Sequence, residues 1–268
     1  MNAFAAAGLP DFFAPGVATA FVLTALRVGG LLLVAPVWSA KTVPMRLRTA
    51  LIVLFSLMMM STALSTADIA SLRITPATFI AESVIGMAIG IAAAIVIAAA
   101  EMAGDLMTMS IGLSGAAIFD PVNNTQGALL GNFFQLLALV ILLIGGGHLI
   151  MLSALVQSFT AMPLGAPIDI AAGMGALVPT AKVVFSTGLQ FAAPVIAAVL
   201  LTNVALAVLG RVAPKIQIMT VAFPLQICIG LFTLAGSLTL IVHAMSDWTP
   251  GFGETLDPFA RAARTGAR

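Results

Sequence analysis

The chain has 268 residues, 61% hydrophobic and 8% charged, with a formal net charge of +1 at pH 7. Soluble domains carry about 25% charged residues, so this composition excludes a soluble globule and defines an integral membrane protein. The small net charge speaks against a nucleic-acid partner. One cysteine, Cys228, cannot build a disulfide framework and, inside an apolar run, is expected to be a buried thiol packing as a small hydrophobe.

The N-terminal stretch MNAFAAAGLPDFFAPG holds two prolines and no Lys or Arg. It lacks the basic region of a cleaved signal peptide, so the first apolar segment is expected to be retained. Apolar runs follow at 17–38, 49–67, 77–100, 128–160, 177–209 and 218–243. About 20 helical residues cross ~30 Å of hydrocarbon, and four of the runs fit that length. The fourth and fifth would reach roughly 50 Å as straight helices. The Gly145–Gly147 triplet and Pro194 interrupt them, which predicts a broken helix or a tight hairpin in each. Backbone broken at membrane depth survives only when buried in protein or facing a water-filled cavity. Such a chain packs against other subunits or lines a pore. Six spans would place Lys41, Arg46, Arg48, Arg211 and Lys215 on the cytoplasmic side but the tail arginines outside. Splitting one long run into a hairpin would repair this. Trp38 and Trp248 follow apolar runs as interface anchors. The chain reads as a single domain over 1–245, with a polar, flexible tail over 246–268.

Arg27 stands at the centre of the first run, where an arginine costs roughly 2.5–3.5 kcal/mol on insertion scales. Either it closes a structural ion pair, for which Glu82 is a candidate, or it serves a substrate or gate. Gly86 and Gly90 follow Glu82 in GxxxG spacing, which lets helix backbones approach closely. Glu101 and Asp105 are four apart and share one helical face. A metal site needs more ligands, and His148 and His243 stand in no ligand spacing. A proton relay needs ionisable groups through the membrane interior, whereas these acids lie at segment ends. From Leu106, LMTMSIGLSGAAIFDPVNNTQG predicts an irregular apolar stretch ending in Asp-Pro turn chemistry. Facing a conduit, Met107, Met109 and Ile111 would form a soft seal; otherwise the stretch is an ordinary buried connection. HExxH, GxSxG and P-loop patterns are missing, so neither catalysis nor a cofactor is expected.

In order and spacing, these pieces resemble the FliR-type export-gate family of flagellar and virulence type III secretion systems. The likeness starts in ALRVGGLLLVAPVWSAKTVPMRLRTAL, with Arg27, Pro36, Val43-Pro44 and Arg48, and continues with Glu82 and Gly86. AGDLMTMSIGLSGAAIFDP supplies Gly104, Gly112 and Asp120-Pro121, and GGGHLIMLSALVQSFTAMPLG supplies His148, Ser158-Phe159 and Pro163. FAAPVIAAVLLTNVALAVLGRVAPKIQIMTVAFPL supplies Pro194, Asn203, Arg211, Pro214 and Phe223-Pro224. Lys215 departs from the glutamine usual in the family.

The resemblance implies an all-α membrane protein of bent and broken helical hairpins, packed in a hetero-oligomeric helical export-gate assembly with FliP and FliQ. One copy would close a ring of FliP subunits in the cytoplasmic membrane of the flagellar basal body. FlhB would bind the gate, FlhA would lie beneath it, and unfolded export substrates would pass through. The stretch from Gly104 to Pro121 resembles the plug of that family, with Met107, Met109, Ile111, Gly112, Leu113 and Gly115 facing the pore. Arg27, Pro36, Pro44, Arg48, Glu82, Gly86, Glu101, Gly104, Asp105, Asp120, Pro121, His148, Pro194, Arg211, Pro214 and Pro224 would be structural or touch partners. The acids would meet partner groups rather than membrane lipids. Two readings compete: a multi-spanning secondary transporter with a broken-helix site near the midplane, and a lipid-facing scaffold without a pore.

Overall fold

Apolar runs punctuated by glycine and proline become helices bounded by the same residues. The computed structural model describes residues 16–40, 43–69, 72–113, 129–166, 170–213 and 218–246. Among these, the helices in chain order are α1 (Val17–Val34), α2 (Met45–Thr66), α3 (Pro76–Ile111), α4 (Leu129–Ile144), α5 (Gly147–Ala161), α6 (Ile170–Val212) and α7 (Ile218–Ser246). The described residues contain no strand, so the fold is all-α, as expected. Among them α1, α2, α3, the Val184–Val212 part of α6 and the Ala222–Ser246 part of α7 are long and apolar enough to cross a membrane. The α4–α5 pair passes the same test as a broken span.

The helix ends have local causes. Gly16 (φ +85) caps α1 where a Cβ would meet Ile69 Cγ2 at 2.6 Å, so both space and conformation require glycine. Pro36, one residue past the α1 cap, disfavours continuation, and Pro44 is the N-cap of α2. At the start of α3, Pro76 fits the first helical position. Ahead of it, Thr78 N donates to Thr75 Oγ1 (3.2 Å) while Thr75 N donates to Thr78 Oγ1 (2.9 Å), a reciprocal cap. The expected break in the fourth run falls at Gly145–Gly146, with Gly146 at φ +75.

Two helices run further than the sequence pattern predicts. The irregular stretch expected from Leu106 begins only after Ile111, because the first glycine beyond the acids is Gly112. Thr108 and Ser110 stay helical by donating their hydroxyls to Gly104 O (2.8 Å) and Leu106 O (2.7 Å). Pro194 does not break α6, which continues through it. In apolar surroundings one lost backbone hydrogen bond costs less than the several exposed by unwinding a turn.

The chain divides into two compact units. The first contains α1, α2, α3 as far as Ile95, α5 and the start of α6 to Thr180. In it α1 packs on α2 and α2 on α5, over a core that includes Leu23, Leu31, Leu32, Met60, Leu155 and Phe159. Here α1 and α3 touch backbone to backbone. A Cβ on Gly30 would lie 2.5 Å from Ser83 O and 2.9 Å from Met87 N, and one on Gly86 would overlap Arg27 O. The GxxxG spacing thus buries Gly86 and Gly90 against α1, as small residues at helix crossings do. The second unit contains α3 from Val96, α4, α6 from Ala181, and α7. Its core includes Ala100, Ala103, Met107, Ile111 and Phe134, and α4 packs on α7. Large apolar side chains of α6 and α7 point outward, among them Leu201, Val208, Val212, Phe232 and Leu240, and Cys228, expected to be buried, is exposed on the same helix α7. The tail expected beyond Ser246 lies outside the described residues.

Candidate functional site

The first unit holds a buried charged centre. Arg27 and Glu82 are 0% and 1% exposed, and Arg27 Nε donates to Glu82 Oε2 at 2.6 Å. Arg27 Nη1 donates to Ser158 O (3.0 Å), Ser158 Oγ (3.2 Å) and Met162 O (3.0 Å). The guanidinium carbon lies 4.5 Å from the centre of the Phe159 ring, a cation–π contact that adds about 1–2 kcal/mol when desolvated. Glu82 uses its other oxygen, Oε1, to accept from Gly165 N at 3.0 Å. Gly165 has φ +77, which suits glycine in the turn after α5. The centre therefore joins α1, α3 and the α5 C-terminal turn through one arginine fork and one carboxylate. Arg27 Nη2 and Thr24 Oγ1 are buried without a hydrogen-bond partner among the described residues. Of the two readings open for Arg27, the structure realises the ion pair with Glu82, whose carboxylate is thus satisfied inside the chain and not by a partner group as expected.

The second unit holds the other two acids of α3, Glu101 and Asp105. Glu101 Oε2 accepts from Gln135 Nε2 of α4 at 3.1 Å. Asp105 lies one turn on, and a Cβ added to Gly131 would overlap its Oδ1 and lie 3.0 Å from its Cγ. The 101/105 pair thus meets the 131/135 pair, two i,i+4 faces in antiparallel register. Gly104 tightens the crossing, because a Cβ there would fall 2.6 Å from Leu130 C and 2.7 Å from Gly131 N. Of the residues expected to face a conduit, Met107 and Ile111 are instead fully buried in the core of their own unit, while Met109 is 68% exposed and Leu113 half-buried. Gly112, at φ +83, ends the helix as a left-handed cap.

The other sequence-selected residues are dispersed. Pro36 and Pro44 flank the α1–α2 connection, where Arg48 Nη2 donates to Ala40 O (3.3 Å) and Arg48 Nε is buried without a partner among the described residues. His148 opens α5, with Nδ1 likewise unpartnered. Pro194 lies on an exposed face of α6 and Arg211 is exposed in its last turn, where a cation complements the helix dipole. Pro224 lies inside α7. Gly115, Asp120, Pro121, Pro214 and Lys215 lie outside the described residues.

Sequence reasoning did not single out Gly131, Gln135, Gly165, Gln226 or Gly230. Gly131 and Gln135 had a usable signal, since their four-residue spacing matches that of Glu101 and Asp105. Gly230, an isolated glycine in an apolar helix, had none.

The profile described as "Bacterial export proteins, family 1" matches residues 18–250. The flagellar biosynthetic protein FliR of Pectobacterium carotovorum subsp. carotovorum is 33% identical over 223 residues, covering 81% of this chain and 83% of that protein. The FliR of Escherichia coli K12 is 31% identical over 218 residues, with 81% and 83% covered. That of Caulobacter vibrioides is 30% identical over 261 residues, with 97% and 100% covered. A match through every described helix, with relatives of this identity and coverage, means that the chain belongs to family 1 of the bacterial export proteins.

Proposed function

We propose that the chain is a non-enzymatic core subunit of the flagellar type III protein export gate. In this reading it sits in the cytoplasmic membrane at the flagellar basal body. With FliP and FliQ it forms part of the wall of a protein-conducting channel, and FlhB and FlhA join from outside that core. The observation that carries the reading is the extent of the likeness to flagellar biosynthetic FliR proteins, which reaches 97% of the chain in one relative.

The physical layout supports it. A channel wall needs its own charges satisfied inside the subunit and apolar faces left for neighbours. Arg27 and Glu82 are closed within one unit, and α6 and α7 carry rows of exposed Leu, Val and Phe. The α3 end supplies the plug in this reading. Met109 and Leu113 face the conduit, while Met107 and Ile111 hold the helix end to the subunit. A soft thioether and a leucine suit a seal that must close by excluding water and yet yield to a passing chain.

Deleting residues 110–115 tests the plug. Cells carrying the assembled apparatus with this deletion are expected to leak ions or small dyes. Permeability unchanged at normal assembly levels would count against it.

A further inference from the structure

The last turn of α3 is held more tightly than helix ends, which commonly fray. Met107, Thr108 and Ile111 are fully buried up to the final helical residue. The branched side chain of Ile111 rests on Gly230, in the middle of α7. A Cβ added there would overlap Ile111 Cγ1 and lie 2.9 Å from Cδ1 and 3.3 Å from Cγ2. One residue on, a Cβ at Gly112 would sit 3.4 Å from Gln226 Oε1 and 3.6 Å from Phe223 Cδ1. Phe223, Gln226 and Gly230 are spaced three and four apart, so they form one stripe of α7. Gln226 Nε2 in turn donates to Asn203 Oδ1 of α6, which fixes the amide whose oxygen borders Gly112. Within this stripe Gly230 is buried and Gln226 half-buried, while Phe223 is 47% exposed, so the grip of α7 on the last turn of α3 centres on Gly230.

We propose that Ile111 and Gly230 act as knob and seat, registering the end of α3 against α7 and thereby positioning Gly112 and Leu113. Ile111 is a positioning residue. Its β-branched side chain has few rotamers to lose, and contact through a glycine gap depends on dispersion that falls off within an ångström. The end is therefore either seated or released. What release does to transport rests on the export-gate reading; the seat itself does not.

The test uses the full chain in cells carrying the rest of the export apparatus, with Cys228 replaced by alanine. The pair Ile111→Cys and Gly230→Cys reports the geometry by oxidant-induced crosslinking, which is expected to go to completion. Gly230→Ala narrows the seat and is expected to raise dye leak about tenfold, on the scale of one overpacked methyl, at unchanged co-purification with the apparatus. Adding Ile111→Ala is expected to bring the leak back towards the parent, because a smaller knob fits the narrowed seat. Ile111→Val, which leaves the backbone untouched, is expected to give a smaller rise in the same direction.

Failure to crosslink overturns the proposal. So does a leak unchanged by Gly230→Ala and Ile111→Val in cells where the 110–115 deletion leaks. If the crosslink forms and neither the deletion nor Gly230→Ala leaks, the gate reading fails and the registration stands on the crosslink.

Discussion

Arg27 is a fully buried cation in an apolar helix, and the structure shows what makes it tolerable. One carboxylate, two carbonyls, a hydroxyl and an aromatic face surround it. Removing one member of such a pair strands the other in a low-dielectric interior at a cost of roughly 3–5 kcal/mol, whereas replacing both with apolar groups is often close to neutral. Glu82→Gln is therefore expected to lower strongly the heat resistance of the detergent-solubilised assembly in which the chain is co-expressed with FliP and FliQ. The double variant Arg27→Leu with Glu82→Leu should recover most of that loss. Size-exclusion chromatography after a heating series checks both, and a double variant worse than Glu82→Gln alone would show that the pair does more than pack. The identity of the partners was partly legible in the sequence, since Arg27 demanded an anion and Glu82 was the nearest buried candidate. The turn that completes the centre was not legible. Its contributors at Ser158, Met162 and Gly165 are mostly backbone atoms, and backbone leaves no compositional trace.

At the scale of elements, glycines decide which helices meet, and what each one touches sets how much it matters. Gly86 faces the backbone of α1, which cannot move aside, so Gly86→Ala is expected to cost more than about 3 kcal/mol, beyond ordinary overpacking. Gly131 faces the carboxylate end of Asp105, which can rotate away, so Gly131→Ala should cost about 1 kcal/mol. Thermal unfolding of the two variants, each co-expressed with FliP and FliQ and purified in the same detergent, ranks them, and equal losses would contradict the crossing geometry. GxxxG announced the first site in the sequence; Gly131 was overlooked because its partner is an acid on another helix. Helix boundaries followed proline and glycine well at Pro36, Pro44, Pro76 and Gly145–Gly146. They failed at Pro194 and beyond Leu106, where the surroundings reward unbroken backbone hydrogen bonding more than local propensity predicts.

For the whole molecule, the all-α class and the membrane location were readable from composition and run length alone. The sequence could not reveal which apolar faces stay open, because a lipid-facing leucine and a partner-facing leucine look the same. The exposed rows on α6 and α7 and the partly exposed Glu101 and Asp105 belong, in the proposed reading, against neighbouring subunits. In the proposed reading this chain is one wall of a larger channel, and co-expression with FliP and FliQ followed by native mass measurement of the purified material tests that most directly. A stable complex containing all three proteins, with the isolated chain aggregating when expressed alone, is the expected result. A well-behaved, lipid-surrounded monomer that ignores FliP and FliQ and moves a small solute by itself would contradict it.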